Sequence, residues 1–113
     1  MTYRKPIPIH GLKMLRLSQE IQKVDIASPI FHHFSHPVRL RIMYALTIEQ
    51  ELNVTETAGL IRSSAATASH HLRKMHEVNI LEKRKQGREN HYRIKDKHLE
   101  HVVSKIIAWK EQG

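Results

Sequence analysis

The stretch from residue 63 to residue 93 constrains the fold of this chain more than any other. It opens as an amphipathic helix, for which Ser64 is the predicted N-cap. At about 100° per residue, Ala68, Leu72 and Met75 share one narrow sector, which predicts a core-facing stripe. The sector pointing away from it is small, polar and cationic, and it consists of Ala66, Ser69, His70 and Arg73. Such a face fits a DNA major groove, although an ordinary solvated helix face can carry the same pattern.

A basic hairpin is predicted directly after this helix. Ile80 and Leu81 open one strand, and Tyr92 and Ile94 alternate on a returning strand, with Gly87 supplying a turn of positive φ. The hairpin cations Lys83, Arg84, Lys85, Arg88, Arg93 and Lys95 face only Glu82 and Glu89. A basic hairpin behind a groove-sized helix predicts a winged helix-turn-helix, with the helix-turn-helix at about 55–76 and the wing at about 80–94.

Further helices are predicted on both sides of this unit. The spacing of Met14, Leu17 and Ile21 predicts a first helix over 12–24. Start signals at Ser28-Pro29 and at His36-Pro37 predict two more helices, and residues 49–53 are expected to form a polar connection. Thr55 is the predicted N-cap of the first helix of the helix-turn-helix, and Asp96 is that of a last helix over about 97–111.

The fold class expected from these elements is mostly α with a small β-hairpin (α+β). A length of 113 residues predicts one domain, residues 10–113, behind an irregular arm of residues 1–9. The net charge of +8 favours a polyanionic partner. No apolar run approaches the roughly 20 residues of a membrane span and the N-terminus has no signal-peptide pattern, so we expect no membrane association and a cytoplasmic location. The absence of cysteine excludes thiolate metal sites and disulfides.

Three motifs in order resemble the ArsR/SmtB family of bacterial repressors, over roughly residues 30–107. They are His36-Pro37-Val38-Arg39-Leu40-Arg41-Ile42, Ser64-x-x-x-x-Ser69-His70-His71-Leu72, and Arg84-x-x-Gly87 leading to His91-Tyr92. Each motif is unspecific alone, but together they occur in the expected order and spacing. The resemblance implies a winged helix-turn-helix repressor that is dimeric through its terminal helices and leaves its operator when an effector binds or dissociates.

Candidate DNA-binding residues lie on the two helices of the helix-turn-helix and on the wing. The second helix would read base edges, while its partner helix and the wing would contact phosphates. The candidates are Thr55, Thr57, Arg62, Ser64, Ala65, Ala66, Thr67, Ser69, His70, Arg73, Lys85 and Arg88.

The last predicted helix has an unusually broad apolar face for the end of so small a domain. Such a face packs either on the core of its own chain or against a second copy. The resemblance favours a dimer through the first and last helices, so we expect the interface to include Met14, Leu17, Ile21, Leu99, Val102, Val103, Ile106 and Trp109.

Ten histidines raise the question of a metal site. Zinc-sensing members of the family take Asp-x-His from one last helix and two further ligands from the other; this chain keeps Asp96 and His98 but has Trp109 and Gln112 at the other two positions. Trp cannot ligate zinc and Gln is a poor ligand, so we expect no last-helix zinc site and no cofactor. An incomplete set of alternative ligands remains: His101, His32, His33 and His36.

The leading interpretation is therefore a sequence-specific regulator that binds a double-stranded DNA operator as a homodimer and represses transcription. The effector is unknown, and a histidine-based metal sensor is a variant of this interpretation. The alternative is a winged-helix module whose basic face binds an acidic protein. No Gly-rich phosphate loop, H-E-x-x-H or G-x-S-x-G motif is present, so no enzymatic activity is expected.

Overall fold

The computed structural model describes residues 11–113 and shows a mostly helical fold with a small antiparallel sheet. The predicted N-terminal arm, residues 1–9, lies outside the described residues. The elements are α1 (Gly11–Ile21), α2 (Val24–Phe34), α3 (Pro37–Glu49), β1 (Leu52–Asn53), α4 (Val54–Ile61), α5 (Ala65–Glu77), β2 (Leu81–Gln86), β3 (Glu89–Ile94) and α6 (Lys97–Gln112). No helix within residues 11–113 is both long and apolar enough to cross a membrane.

The predicted hairpin is confirmed, and a third strand joins it. β2 and β3 pair antiparallel from Leu81↔Ile94 to Gln86↔Glu89, which leaves a two-residue loop. Gly87 opens this loop with φ +62°, as predicted. The sheet order is β1-β3-β2, with β1 paired to the middle of β3 at His91 and Tyr92. The prediction of a polar connection over residues 49–53 was therefore wrong for Leu52 and Asn53, since two residues are too few for a strand periodicity to be recognised.

The core lies between α3, α5, the sheet and one face of α6. The stripe of α5 predicted from its periodicity is fully buried, with Ala68, Leu72 and Met75 at 0% exposure. The other buried apolar residues are Ile42, Met43, Leu46, Leu52, Ile80, Leu81, Tyr92, Ile94 and Val103. This core fixes which face of α5 remains available for contacts outside the chain.

The N-terminal helices divide differently from the prediction. α1 ends at Ile21, and α2 begins at Val24 instead of at Ser28-Pro29. Pro29 lies in the second turn of α2, where its missing N–H deprives only the carbonyl of Asp25 of a helical donor. Residue 25 is exposed, so water can satisfy that carbonyl.

α4 begins one residue before the predicted N-cap. Asn53 is the N-cap: its side chain accepts from the N–H of Glu56 at 2.7 Å, while the Glu56 carboxylate accepts from the N–H of Asn53 at 2.9 Å. This reciprocal capping box satisfies two N–H groups at once, which a cap at Thr55 would not do. The prediction of Thr55 as N-cap was wrong, and Thr55 lies in the first turn of α4.

The described chain is extended, with a radius of gyration of 19.0 Å against the roughly 13 Å expected for a compact domain of this length. The apolar side chains of α1 are little covered by the rest of the chain, since Leu12, Met14, Leu17 and Ile21 are all exposed. The first helix therefore adds little to the core of its own chain.

Candidate nucleic-acid interface

α5 presents a small polar face opposite its buried stripe. The helix begins at Ser64, whose Oγ accepts from the N–H of Thr67 at 3.1 Å, as predicted for the N-cap. Ala65, Ala66, Thr67, His70 and Arg73 are exposed, and Ser69 is half-buried. The division into core and outer faces that periodicity predicted is thus observed, and the outer face is free of bulky apolar side chains.

The turn between α4 and α5 is tight and is closed by backbone hydrogen bonds. Arg62 adopts the left-handed conformation, with φ +55° and ψ +49°, and the N–H of Ser63 donates to the carbonyl of Ala58 at 3.0 Å. This arrangement ends α4 at Ile61, and α5 begins at Ala65 after three intervening residues. Arg62, in this turn, and Thr55, in the first turn of α4, are both exposed.

Thr57 does not fit the role predicted for it. Its side chain has 0% exposure, and its hydroxyl donates to the backbone carbonyl of Asn53 at 2.8 Å. A hydroxyl that is buried and already donating cannot reach a phosphate, so the assignment of Thr57 to DNA binding was wrong. The residue instead secures the start of α4.

The cations of the hairpin fall into two groups. Lys83, Lys85, Arg88 and Lys95 are exposed, and no ion pair involves them within the part of the chain that the structure describes. Arg84 and Arg93 pair with carboxylates: Arg84 Nη2 lies 2.6 Å from Glu51 Oε1, and Arg93 pairs with Glu82. The first group can contact an external anion without giving up an internal partner, whereas the second cannot.

Glu51 ties the base of the wing to β1. Arg84 donates to both of its carboxylate oxygens, and this hydrogen bonding lowers the pKa of Glu51 below its ordinary value. The same interaction raises the pKa of Arg84. His91 lies 3.5 Å from Glu51 through Nδ1 and 3.1 Å from Glu89 through Nε2. The sequence analysis counted Arg84 as a free wing cation because β1, which brings Glu51 to it, was not predicted.

Arg39, which the sequence showed only as part of the His36–Ile42 motif, joins three helices in the structure. Its Nη1 lies 2.8 Å from His33 Nδ1 of α2, and its Nε donates to His71 Nδ1 of α5 at 3.3 Å. The His36 ring packs against His71 with the ring centroids 5.2 Å apart. Burial, followed by the charge of Arg39, lowers the pKa of both His33 and His71. Three helices thus meet at one guanidinium beside the outer face of α5.

The candidate metal ligands are not brought together. The Asp96 carboxylate accepts from the N–H of His98 at 2.7 Å as the N-cap of α6, His98 and His101 are exposed, and His33 is bound to Arg39. Across residues 11–113, no three His, Asp or Glu side chains are grouped closely enough to hold a metal ion.

The predicted interface residues separate into two sets. Met14, Leu17 and Ile21 of α1 are exposed, as are Val102, Ile106 and Trp109 of α6. Val103, however, is 1% exposed and lies in the core of its own chain, and Leu99 packs against the same core. The assignment of Val103 to a dimer interface was therefore wrong, because its side chain is buried in its own chain. Leu99 is only partly buried, and its place in an interface stays a prediction.

Residues 36–83 match the model of the family described as bacterial regulatory protein, arsR family. A Staphylococcus aureus protein described as a cadmium resistance transcriptional regulatory protein CadC homolog is 38% identical over 107 residues, which are 92% of this chain and 88% of that protein.

Solved structures have the same fold. The transcriptional repressor PagR of Bacillus anthracis superposes with a TM-score of 0.65 at 27% identity, over 75% of this chain and 97% of that one. A homodimeric winged helix-turn-helix DNA-binding domain from Mycobacterium bovis superposes with a TM-score of 0.73 over 83% of this chain and 86% of that one. At 19% identity, the second similarity concerns the fold alone.

Proposed function

Because the chain belongs to the arsR family of bacterial regulatory proteins, we propose that it is a homodimeric repressor that reads its operator with the outer face of α5. Its relatives are named transcriptional regulators and repressors, and the chain is a DNA-binding transcriptional regulator of the same kind. The observation that carries the proposal is the exposed polar face of α5, directly opposite a stripe at 0% exposure.

In the proposed complex, α5 enters the major groove. Ser69, His70 and Arg73 meet base edges, and the methyl groups of Ala65 and Ala66 can contact thymine methyls. Arg62, Ser64 and Thr67 lie around the start of α5, and Thr55 lies in the first turn of α4. In the proposed complex these four residues contact phosphates and fix the register of α5. Lys85 and Arg88 at the wing tip contact the flanking backbone.

The proposed homodimer places two copies of α5 in successive major grooves about 34–36 Å apart. The exposed apolar side chains of α1 and α6 support this assembly, because they are unused by the core of their own chain. A second copy covering them would remove apolar surface from water on both chains. A regulator that binds DNA acts where the chromosome lies, so the proposed location is the cytoplasm.

The proposal is tested by selecting duplexes from a random-sequence pool with the purified protein. The selected duplex and a scrambled duplex of equal composition are then compared by fluorescence anisotropy over a range of salt concentrations. We expect the selected duplex to be an imperfect palindrome and to bind at least a thousandfold more tightly than the scrambled duplex at physiological salt. The affinity for both duplexes should fall steeply as the salt concentration rises. Equal affinity for both duplexes would refute sequence-specific regulation and favour a basic surface for an acidic protein.

For the release step, we propose that the effector is not zinc held by the last helix. Asp96 is engaged as the N-cap of α6, and α6 carries Trp109 and Gln112 where family zinc sensors have ligands. The chain also has no cysteine with which to bind a soft metal. Titration of zinc, and separately of cadmium, into the metal-free protein on the selected duplex should leave the anisotropy unchanged. Release by sub-micromolar zinc that is abolished in His98→Ala would contradict the proposal.

A further inference from the structure

Outside its core stripe, α5 is hydrogen-bonded to an arginine of α3. Within residues 11–113, the bond from Arg39 Nε to His71 Nδ1 is the one side-chain hydrogen bond that joins α5 to another helix. The same guanidinium reaches His33 of α2, which is 8% exposed. α5 is therefore linked through α3 to α2 by one chain of polar contacts.

The protonation states in this chain of contacts are determined by the arginine. A guanidinium can only donate hydrogen bonds and stays protonated in proteins, so both Nδ1 atoms must act as acceptors. Each imidazole is therefore neutral and carries its proton on Nε2. The lowered pKa values of His33 and His71 agree with neutral rings beside a fixed positive charge.

The location of His71 on α5 determines what the contact can restrain. With Ala68, Leu72 and Met75 defining the buried stripe, His71 projects roughly 60° to one side of it. Packing of the stripe holds α5 against the core but leaves rotation about the helix axis to be resisted at its flanks. A hydrogen bond at one flank fixes that rotation, and with it the direction of the neighbouring His70.

We propose that Arg39 is a positioning residue for operator recognition: by holding His71, and being held by His33, it sets the rotation of α5 that presents Ser69, His70 and Arg73 to the groove. The inference rests on the proposed function of the α5 face. Arg39 itself need not contact DNA, because it acts through His71. Its loss should therefore reduce discrimination between sequences more than it reduces attraction to DNA in general.

The test compares Arg39→Ala, His71→Ala and the double variant on the duplex selected by the wild-type protein and on its scrambled counterpart. A hydrogen bond from a charged donor justifies an expected loss of about tenfold on the selected duplex for each single variant. The scrambled duplex should be bound as before. Because both changes remove the same contact, the double variant should lose no more than either single one.

Two controls separate positioning from simple stabilisation. His71→Asn keeps an acceptor where Nδ1 stood and should restore operator affinity to within about twofold of wild type. Arg41→Ala removes an exposed cation from the same helix as Arg39 and should leave the affinity for both duplexes unchanged. Circular dichroism and thermal melting verify that each variant is folded. If Arg39→Ala does not fold, the comparison of His71→Asn with His71→Ala tests whether the hydrogen bond positions α5.

The outcomes distinguish the inference from its premise. If the wild-type protein does not discriminate between the two duplexes, the proposed function fails. If the wild-type protein discriminates, three results would refute the positioning role of Arg39 while the proposed function stands. They are an equal loss of affinity for both duplexes in the Ala variants, additive losses in the double variant, and a His71→Asn variant that binds the selected duplex as weakly as His71→Ala.

Discussion

At the scale of single residues, the backbone at Gln50 is strained. Its φ is +68° and its ψ is −43°, and the N–H of Glu51 donates to the carbonyl of Glu49 at 2.7 Å, which together define a γ-turn with positive φ. A side chain is costly in this region, by about 1–3 kcal/mol. The strain ends α3 abruptly and directs the chain into β1.

We expect Gln50→Gly to stabilise the fold by about 1 kcal/mol, because glycine adopts positive φ without a Cβ clash. Thermal or urea unfolding would measure the gain. Gln50→Ala is the matched control, since it also removes the exposed bond from Nε2 to Glu100 Oε1 but keeps the strained backbone. If the glycine and alanine variants were equally stable, the turn would not be strained.

His70 is the residue of the α5 face on which specificity should depend most directly. It is fully on the outer face and hydrogen-bonds to no other side chain of the described residues. We expect His70→Ala to weaken binding to the selected duplex by about 1–3 kcal/mol, and Ser69→Ala to act in the same direction. Binding to random duplex should change little.

His101→Ala is the control for His70→Ala, because it removes an exposed imidazole from α6, away from α5. It should leave both affinities unchanged. Losses of the same size on selected and random DNA would show that His70 contributes charge or packing instead of base recognition.

The sequence predicted which residues face outward from α5 but not which cations are free. The sequence alone does not distinguish the paired cations Arg39 and Arg84 from the free cation Lys85. The partners of Arg39 and Arg84 lie as far as 32 and 33 residues away along the chain, and only the tertiary fold brings them together. Helical periodicity carries no information about such pairs, so the free cations could be identified only in the structure.

At the scale of elements, the long periodic segments were predicted well and the short ones poorly. α5, the hairpin and α6 have patterns extended enough to define a face. β1 has only Leu52 and Asn53, and α2 starts at Val24, five residues before the proline that predicts its start. The omission of β1 matters for the site, because this strand carries the chain from Glu51 to the capping box of α4 and holds the wing at its base.

The wing should act through charge alone. Replacing Lys85 and Arg88 with Ala should reduce the steepness of log affinity against log salt by up to about two, since each phosphate contact contributes roughly 0.9. The charge-matched control is Lys13→Ala with Arg16→Ala, two exposed cations of α1. An unchanged slope in the wing variant would mean that the hairpin points away from DNA.

At the scale of the whole molecule, α6 has two apolar surfaces where the sequence predicted one. Val103 is buried in the core, whereas Val102, Ile106 and Trp109 remain between 43% and 70% exposed. Periodicity shows how wide an apolar arc is, but it cannot say how that arc is divided between the chain's own core and a partner. The exposed part of α6 and the exposed side of α1 are the surfaces that a second copy would cover.

Ile106→Asp tests this arrangement, because it puts a charge in the middle of the exposed apolar part of α6. A second copy packed there would bury the carboxylate without a partner, at a cost of several kcal/mol, which is enough to dissociate a dimer of ordinary affinity. Ala108→Asp is the control: residue 108 lies on the far side of the helix and is exposed, so the same charge should leave the dimer intact. Sedimentation velocity should show Ile106→Asp as a folded monomer that binds the selected duplex weakly, since one protomer reaches only one half-site. If Ile106→Asp is folded and still dimeric, the dimer interface lies on another surface of the chain.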